Sequence, residues 1–317
     1  MLETVSSIAS QCDGIRCDMA MLMLNPIFER TWGGRAGPRP TTEYWKDLIA
    51  VLKKTHPAFL FIAEAYWDLE WELQHQGFDF SYDKKLYDRL EHDNADNIRL
   101  HLCADLAYQE KLLHFVENHD EPRAAATFSL EKEQAAAVTM ATLPGARLFH
   151  EGQFEGRKVR PPVFLGRRPQ EPSNRELQSF YATLLEAIDS PVFRDGQWAL
   201  CERTGWPDNS SFQNLVAWTW VQDEDRFLIV VNLSDNTAQA RVPWRNLREG
   251  KWRLSDLLCG ATHDRDGSEM LDPGLYVELG PWKSSFFRCV RLHPPDNQNI
   301  GELVPVPSEI GSLVGYR

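Results

Sequence analysis

Three stretches that run from apolar residues into a carboxylate residue constrain the fold of this chain more than any other feature. They lead to Asp18, to Glu64 and, through residues 115–123, to Asp120. A loop and a helix-like pattern follow each run, which is typical of parallel strands joined by crossover helices. Because the carboxyl ends of parallel strands lie at one edge of a sheet, the sequence predicts that the three carboxylates meet there.

Composition and charge narrow the range of partners. The chain has 317 residues, of which 43% are hydrophobic and 25% charged, as in an ordinary soluble globular protein with room for two domains. A net charge of -12 argues against nucleic acid or an anionic membrane as partner, because phosphate groups are bound by clustered Lys and Arg. A neutral polyol substrate fits this charge, and no apolar run is as long as a transmembrane helix.

The cysteines indicate a reduced environment. They are scattered along the chain, with no C-x-x-C pair and no histidine at metal-ligand spacing. We therefore expect free thiols in a cytoplasmic protein, no disulfide framework and no metal site. The six positions are Cys12, Cys17, Cys103, Cys201, Cys259 and Cys289.

The order of local patterns predicts two domains and a tail. Residues 1–190 alternate between strand and helix patterns and predict five parallel strands. Residues 191–291 contain short β-branched or aromatic runs separated by turn residues, which predicts a small antiparallel β-sandwich. Residues 292–317 have little periodicity and are expected to form a loose tail.

Three short blocks carry a family resemblance. They are DGIRCD (13–18), FIAE (61–64) and ENHDEPR (117–123), and in this order they resemble the α-amylase superfamily of retaining α-glycoside hydrolases and transglycosylases. The resemblance implies an α/β fold comprising the C-terminal part, about five βα units, of a TIM-type (β/α)8 barrel, followed by the β-sandwich. The first three barrel strands have no counterpart, so we expect the chain to be N-terminally truncated.

The resemblance also implies roles for individual residues. Asp18 corresponds to the nucleophile, Glu64 to the general acid/base and Asp120 to the transition-state stabiliser, with Arg16 and His119 as substrate-binding residues beside them. Retaining cleavage needs two carboxyl groups roughly 5 Å apart. Arg16, on the same strand face as Asp18, would keep that carboxylate ionised, whereas the apolar run before Glu64 would favour its protonated form. Taken singly, each of these residues is more often structural.

Aromatic residues after Glu64 are candidates for sugar binding. Tyr66, Trp67 and Trp71 could stack on the apolar faces of glucose rings. Packing of the barrel rim explains the same residues about as well.

Two departures from the superfamily pattern affect the functional prediction. Many α-amylases have a Lys-His pair after the nucleophile, whereas residues 19–24 here are apolar, which weakens the case for an endo-acting starch hydrolase. The Asp and His of an earlier barrel strand, and the inserted domain that often carries calcium, have no place in this chain. We therefore expect no cofactor, with calcium bound only through a missing N-terminal part.

The sequence thus predicts a retaining hydrolase that acts on α-glucans or short α-glucosides by double displacement. Its partner would be an oligosaccharide or polysaccharide, and the oligomeric state is left open. Two alternatives remain: a glucan-rearranging or trehalose-forming transglycosylase, and a catalytically silent carbohydrate-binding fragment.

Overall fold

The first half of the chain contains a parallel sheet. A computed structural model describes residues 1–162, 164, 167–245 and 247–292. Five strands lie side by side in chain order, and every neighbouring pair is parallel, so the predicted parallel sheet is confirmed. These strands are β1 (Gly14–Cys17), β2 (Leu60–Ala63), β3 (Phe80–Tyr82), β4 (Leu112–His114) and β5 (Ala146–Arg147).

Helices precede, connect and follow these strands. The long connection between β1 and β2 includes a 3-10 turn at Ala20–Met23 and a helix whose apolar residues at helical spacing are buried, as the sequence predicts. The helices are α1 (Leu2–Ala9), α2 (Asn25–Trp32), α3 (Tyr44–Thr55), α4 (Glu70–His75), α5 (Lys84–His92), α6 (Ala95–His101), α7 (Leu106–Gln109), α8 (Ala124–Thr127), α9 (Leu130–Thr142), α10 (Arg175–Ile188) and α11 (Val192–Asp195).

Close packing fixes the register of the first two strands. Gly14 pairs with Leu60, and a Cβ atom at Gly14 would lie only 2.7 Å from the Leu60 side chain and carbonyl oxygen. Glycine lets the two strands approach, and this register pairs Arg16 with Ile62. Side chains of alternate residues point to the same face of a strand, so Arg16 and Glu64 emerge on one face of the sheet.

The second half of the chain is antiparallel. Its strands are β6 (Gln197–Leu200), β7 (Leu215–Gln222), β8 (Asp225–Asn232), β9 (Ala238–Val242), β10 (Lys251–Asp256), β11 (Thr262–Asp266), β12 (Leu275–Leu279) and β13 (Ser284–Leu292), with a short helix α12 (Gly267–Glu269). A six-stranded sheet has the order β11-β10-β13-β8-β7-β6, and β12 pairs with β9. The β-branched or aromatic runs of residues 191–291 coincide with β7–β10, β12 and β13, whereas β6 and β11 were not predicted.

A shared core joins the two halves. Ala136 of α9 and Leu184 of α10 lie in the same buried cluster as Trp218, Ile229 and Phe286 of the six-stranded sheet. A hydrogen bond crosses this contact, since the indole N–H of Trp220 donates to the carbonyl oxygen of Thr142 at 2.6 Å. The boundary near residue 190 stays a prediction, and 293–317 of the predicted tail lie outside the described residues.

The six cysteines, all in the described ranges, are free thiols. Three are exposed, and burial raises the pKa of the other three, to about 12 for Cys17 and Cys201 and further for Cys289. None of the helices in the described ranges combines the length and the apolar character needed to cross a membrane.

Candidate active site

One arginine brings the three predicted carboxylates together. Asp18 directly follows β1, Glu64 directly follows β2, and Asp120 lies in the loop after β4. The Nη1 atom of Arg16 lies 2.5 Å from Asp18 Oδ1, and its Nη2 atom lies 2.8 Å from Glu64 Oε1 and 3.6 Å from Asp120 Oδ2. The cluster therefore forms at the carboxyl edge of the parallel sheet, and Asp18 and Glu64 contact the two terminal nitrogens of one guanidinium.

The contacts of Arg16 are electrostatic as well as directional. Its Nη1 hydrogen-bonds Asp18, whereas Nη2 forms an ion pair with Glu64 without an aligned hydrogen bond. Burial alone would lower the pKa of Arg16, but Asp18 and Glu64 outweigh this effect and the pKa is raised. The guanidinium carbon also lies 5.7 Å from the ring centre of Tyr82 on β3. Arg16 therefore stays charged among an excess of negative groups.

Glu64 is the most enclosed of the three carboxylates. It is 3% exposed, and its oxygens accept hydrogen bonds from the Met19 backbone N–H at 2.6 Å and from the Tyr66 hydroxyl at 3.0 Å. Burial and the contact with Glu64 raise the pKa of Tyr66, so its hydroxyl remains a donor. Met19 reaches Glu64 with a left-handed backbone (φ 43), an unusual conformation for a residue other than glycine.

The expected apolar setting of Glu64 was only partly correct. Its carboxylate is buried as expected, but it is surrounded by donors and a cation. The long side chain of Arg16 reaches both Asp18 and Glu64, because the strand register puts these residues on one face. Arg16 is thus shared between the carboxylates instead of serving Asp18 alone.

A side-chain turn presents Asp120. Asn118 Oδ1 accepts hydrogen bonds from the backbone N–H groups of Asp120 at 2.9 Å and Glu121 at 3.0 Å. His119 Nε2 lies 3.0 Å from Asp120 Oδ2, and both side chains are about half exposed. Arg160 also donates to the carbonyl oxygen of Asp120. His119 therefore lies beside Asp120, where a ligand could reach both.

A buried cluster of charged side chains holds the loop that carries Asp120. Glu117 is fully buried and accepts hydrogen bonds from Arg123 Nη1 at 2.6 Å and from the Ala124 N–H at 2.7 Å. His150 Nδ1 lies 2.9 Å from the same carboxylate. Sequence reasoning did not assign these supports or Asn118, although Glu117, Asn118 and Arg123 all lie within the ENHDEPR block that signalled the site.

Tyr66 and Trp67 have different surroundings. Tyr66 contacts Glu64 directly, whereas the Trp67 ring is 56% exposed and takes part in no aromatic pair or hydrogen bond among the described residues. Trp67 and Asp68 both have left-handed backbones, with φ values of 63 and 64. Such conformations in consecutive residues other than glycine are costly and often occur in functional loops. A sugar contact by Trp67 stays a prediction.

The side chains of the candidate site are not arranged as a set of metal ligands. Across the described residues, no set of three or more His, Cys, Asp and Glu side chains is arranged to hold a metal ion. The expectation that the chain uses no cofactor stays a prediction, because this finding does not test it.

Fold and site together define a class of protein. A parallel sheet with connecting helices presents a cluster of carboxylates at the carboxyl ends of its strands, where α/β enzymes keep their chemistry. Carboxyl groups that a sugar could reach from one edge of a sheet are the groups that glycoside hydrolases use.

Comparisons with known proteins agree with this class. The chain is 24% identical over 283 residues to α-amylase MalA of Haloarcula japonica. The aligned region covers 86% of this chain and 39% of that protein. Among solved structures, maltogenic α-amylase AmyB of Thermotoga neapolitana superimposes with a TM-score of 0.69 at 17% identity. The match covers 92% of this chain and 65% of the AmyB chain. The α-amylase GTA of Geobacillus thermoleovorans matches 91% and 62% with a TM-score of 0.66 and 14% identity.

The predicted resemblance to the α-amylase superfamily is thereby confirmed. No protein-family model matches the chain. The chain spans about two fifths of the curated relative and less than two thirds of these two structures.

Proposed function

We propose that this chain contributes the last five βα units of a (β/α)8 barrel and the following β-sandwich to a retaining α-glycoside hydrolase. Its substrates would be α-glucans or short α-glucosides. The observation that carries the proposal is the contact of one guanidinium, that of Arg16, with Asp18, Glu64 and Asp120. The names of the similar proteins, which are α-amylases, support the substrate class.

The proposed reaction has two steps. Asp18, whose side chain is 78% exposed, attacks the anomeric carbon while the glycosidic bond breaks and Glu64 gives its proton to the leaving oxygen. Water then attacks the same carbon, Glu64 takes the proton of that water, and the carboxylate of Asp18 is released. Asp120 would stabilise the positive charge that develops on the sugar ring, and His119 would hydrogen-bond sugar hydroxyl groups.

This cycle requires Glu64 to hold a proton before the first step. Its ion pair with Arg16 and its hydrogen bond from Met19 must therefore loosen when substrate enters. A cytoplasmic location and the absence of a nucleic-acid partner stay predictions that accompany this proposal.

Substitution of Asp18 tests the mechanism. Hydrolysis of an aryl α-glucoside and of maltoheptaose is measured for the chain as it stands and for a longer protein that supplies the preceding barrel strands. Asp18→Asn should lower turnover at least ~10³-fold, as loss of a covalent nucleophile does. The control is Asp13→Asn, an exposed carboxylate just before β1, which should leave turnover unchanged. Unchanged turnover in Asp18→Asn would exclude Asp18 as the nucleophile.

A catalytically silent carbohydrate-binding chain is the second candidate. It is favoured by the ion pairs of Arg16, which fill the centre of the carboxylate cluster. In that case neither protein hydrolyses either substrate, whereas glucan binding persists in Asp18→Asn.

A further inference from the structure

A groove on the helical side of the parallel sheet forms a second concave site. It lies between α4, α5 and the segment α6–α7, and has a volume of about 500 Å³, within the range of small-molecule sites. These helices flank β3, which lies in the middle of the five-stranded sheet. The lining residues all belong to the part of the chain that the structure describes.

An indole ring forms one wall of the groove. Trp71 is 45% exposed although it is part of α4. Its position is fixed by edge contacts with His75, at 4.4 Å between ring centres, and with Tyr108, at 5.6 Å. An indole ring that is held by two edge-to-face contacts and is still nearly half exposed offers apolar surface to a flat ligand.

Polar groups that can bind a ligand lie beside this ring. Glu70 is 3% exposed and lines the groove, and its carboxyl group contacts its own backbone N–H but no other side chain in the hydrogen bonds and ion pairs of the described residues. Burial raises the pKa of Glu70. The Tyr108 hydroxyl has no hydrogen bond within the described part of the chain, and burial raises its pKa, so it remains protonated. The Glu70 carboxyl group and the Tyr108 hydroxyl can therefore exchange hydrogen bonds with a ligand that both donates and accepts them.

The charges of the groove argue against an anionic ligand. Three carboxylate residues line it, namely Asp68, Glu70 and Asp105. The two basic residues are already engaged: Lys85 lies 2.5 Å from Asp68, and Arg89 donates to His101 at 3.0 Å. An anionic ligand would meet repulsion here, and an apolar ligand would bury the carboxyl groups without partners. A polyol with a flat apolar face satisfies both conditions.

The geometry points to a second carbohydrate-binding site in this groove, with Trp71 as the stacking surface and Glu70 and Tyr108 as hydrogen-bonding partners. The ligand would be a neutral oligosaccharide. That its sugars are α-linked glucose units rests on the proposed function. Asp68 belongs both to the groove and to the loop that follows Glu64, so the site borders the carboxylate edge without sharing its carboxylates.

Binding of maltoheptaose tests the inference. Titrations by calorimetry use Asp18→Asn as the parent, so that the sugar is not consumed, and add Trp71→Ala or Glu70→Gln to it. Loss of the stacking surface should weaken binding about fivefold to tenfold, and Glu70→Gln should weaken it while keeping the shape of the side chain. The matched control is Trp32→Ala, which removes a 52% exposed tryptophan at the end of α2 and should leave affinity unchanged.

The outcomes separate this inference from the proposed function. Equal affinity of Trp71→Ala and its parent would overturn the proposal that the groove binds carbohydrate. The absence of maltoheptaose binding at millimolar concentration would overturn it as well. Equal losses in Trp71→Ala and Trp32→Ala would also overturn it, because the effect would then be general. Chromatography of the sugar after each titration tests the nucleophile independently: products formed by the Asp18→Asn parent would contradict the role of Asp18 but not the groove.

Discussion

At the scale of single residues, Arg16 shows how one side chain can organise a site. A planar guanidinium offers donors in several directions, so it can contact carboxylates on neighbouring strands, which a lysine ammonium does less well. The three carboxylates and their shared edge could be predicted from the sequence, because each follows a strand-like stretch that ends in polar or charged residues. The sharing of Arg16 could not, since it depends on the register between β1 and β2 and on the side-chain conformation.

Glu133 is a buried carboxyl group that should make stability depend on pH. It is 1% exposed on α9, and burial together with the charge of Glu117 raises its pKa to about 7, whereas the Tyr181 hydroxyl and Lys158 oppose the shift. The folded state therefore holds a proton that the unfolded state releases at lower pH. Stability from this group is fully present below pH ~4.5 and is lost as pH rises through about 7.

Glu133→Gln should remove this dependence. The amide imitates the protonated acid, so the variant should match the wild type at pH 5 and exceed its free energy of unfolding at pH 8 by on the order of 2–3 kcal/mol. Urea unfolding followed by circular dichroism at both pH values provides the measurement. Glu131→Gln, an exposed position of the same helix, serves as control and should show no such difference. A variant destabilised equally at pH 5 and pH 8 would contradict the prediction.

At the scale of elements, Asp83 ties α5 to its neighbours. Its Oδ1 accepts the Leu86 N–H at 3.0 Å at the start of α5, and its Oδ2 lies 2.9 Å from His101 of α6 and 3.1 Å from His114 of β4. Burial would raise the pKa of Asp83, but the two histidines outweigh it, and the pKa is held well below its usual range. Three elements therefore depend on one ionised carboxylate.

Asp83→Asn should lower the free energy of unfolding by about 3–5 kcal/mol at pH 7, the usual cost of breaking a buried ion pair. The contribution of Asp83 is present above pH ~4 and is lost as pH falls further, because the unfolded state takes up the proton first. Urea unfolding from pH 7 to pH 3 should therefore show a smaller acid loss in the variant than in the wild type. The control Asp105→Asn replaces an exposed cap of α7 by a residue that caps about equally well and should cost at most ~1 kcal/mol. Similar losses in both variants would argue against the buried network.

The strands missed by the sequence are edge strands. β6 and β11 lie at opposite ends of the six-stranded sheet. β11 reads THDRD, a polar run without alternation, and it is held by backbone pairing with β10 and by the ion pair between Arg253 and Asp264 at 2.8 Å. An edge strand with little buried area leaves no hydrophobic pattern to detect. Central strands such as β7 and β8 bury most of their residues and were predictable for the opposite reason.

At the scale of the whole molecule, the shared core should make the two halves unfold together. Apolar residues of α9 and α10 pack in one cluster with those of the six-stranded sheet, so neither half keeps its buried surface without the other. Far-UV circular dichroism and tryptophan fluorescence should therefore report one transition in urea. Two separate transitions would show that the halves are independent.

The hydrogen bond between Trp220 and Thr142 tests this coupling locally. Trp220→Phe leaves a buried carbonyl group without its donor and should cost about 1–3 kcal/mol while the transition stays single. The control is Trp198→Phe on β6. The indole N–H of Trp198 has no hydrogen-bond partner among the described residues, so its removal should lower the free energy of unfolding by less. This long-range packing had no signature in the sequence, because contacts between distant helices and strands leave no local periodicity.

The distribution of the cysteines has a practical consequence. Cys17 ends β1 in the parallel sheet, and Cys289 lies on β13 in the antiparallel one, and both thiols are protonated and buried. Alkylating reagents attack thiolates, so these two atoms become reactive only when their own sheet opens. The natural sequence thus already contains a chemical probe in each half, and the relative rates of alkylation would time the opening of one half against the other without any engineered label.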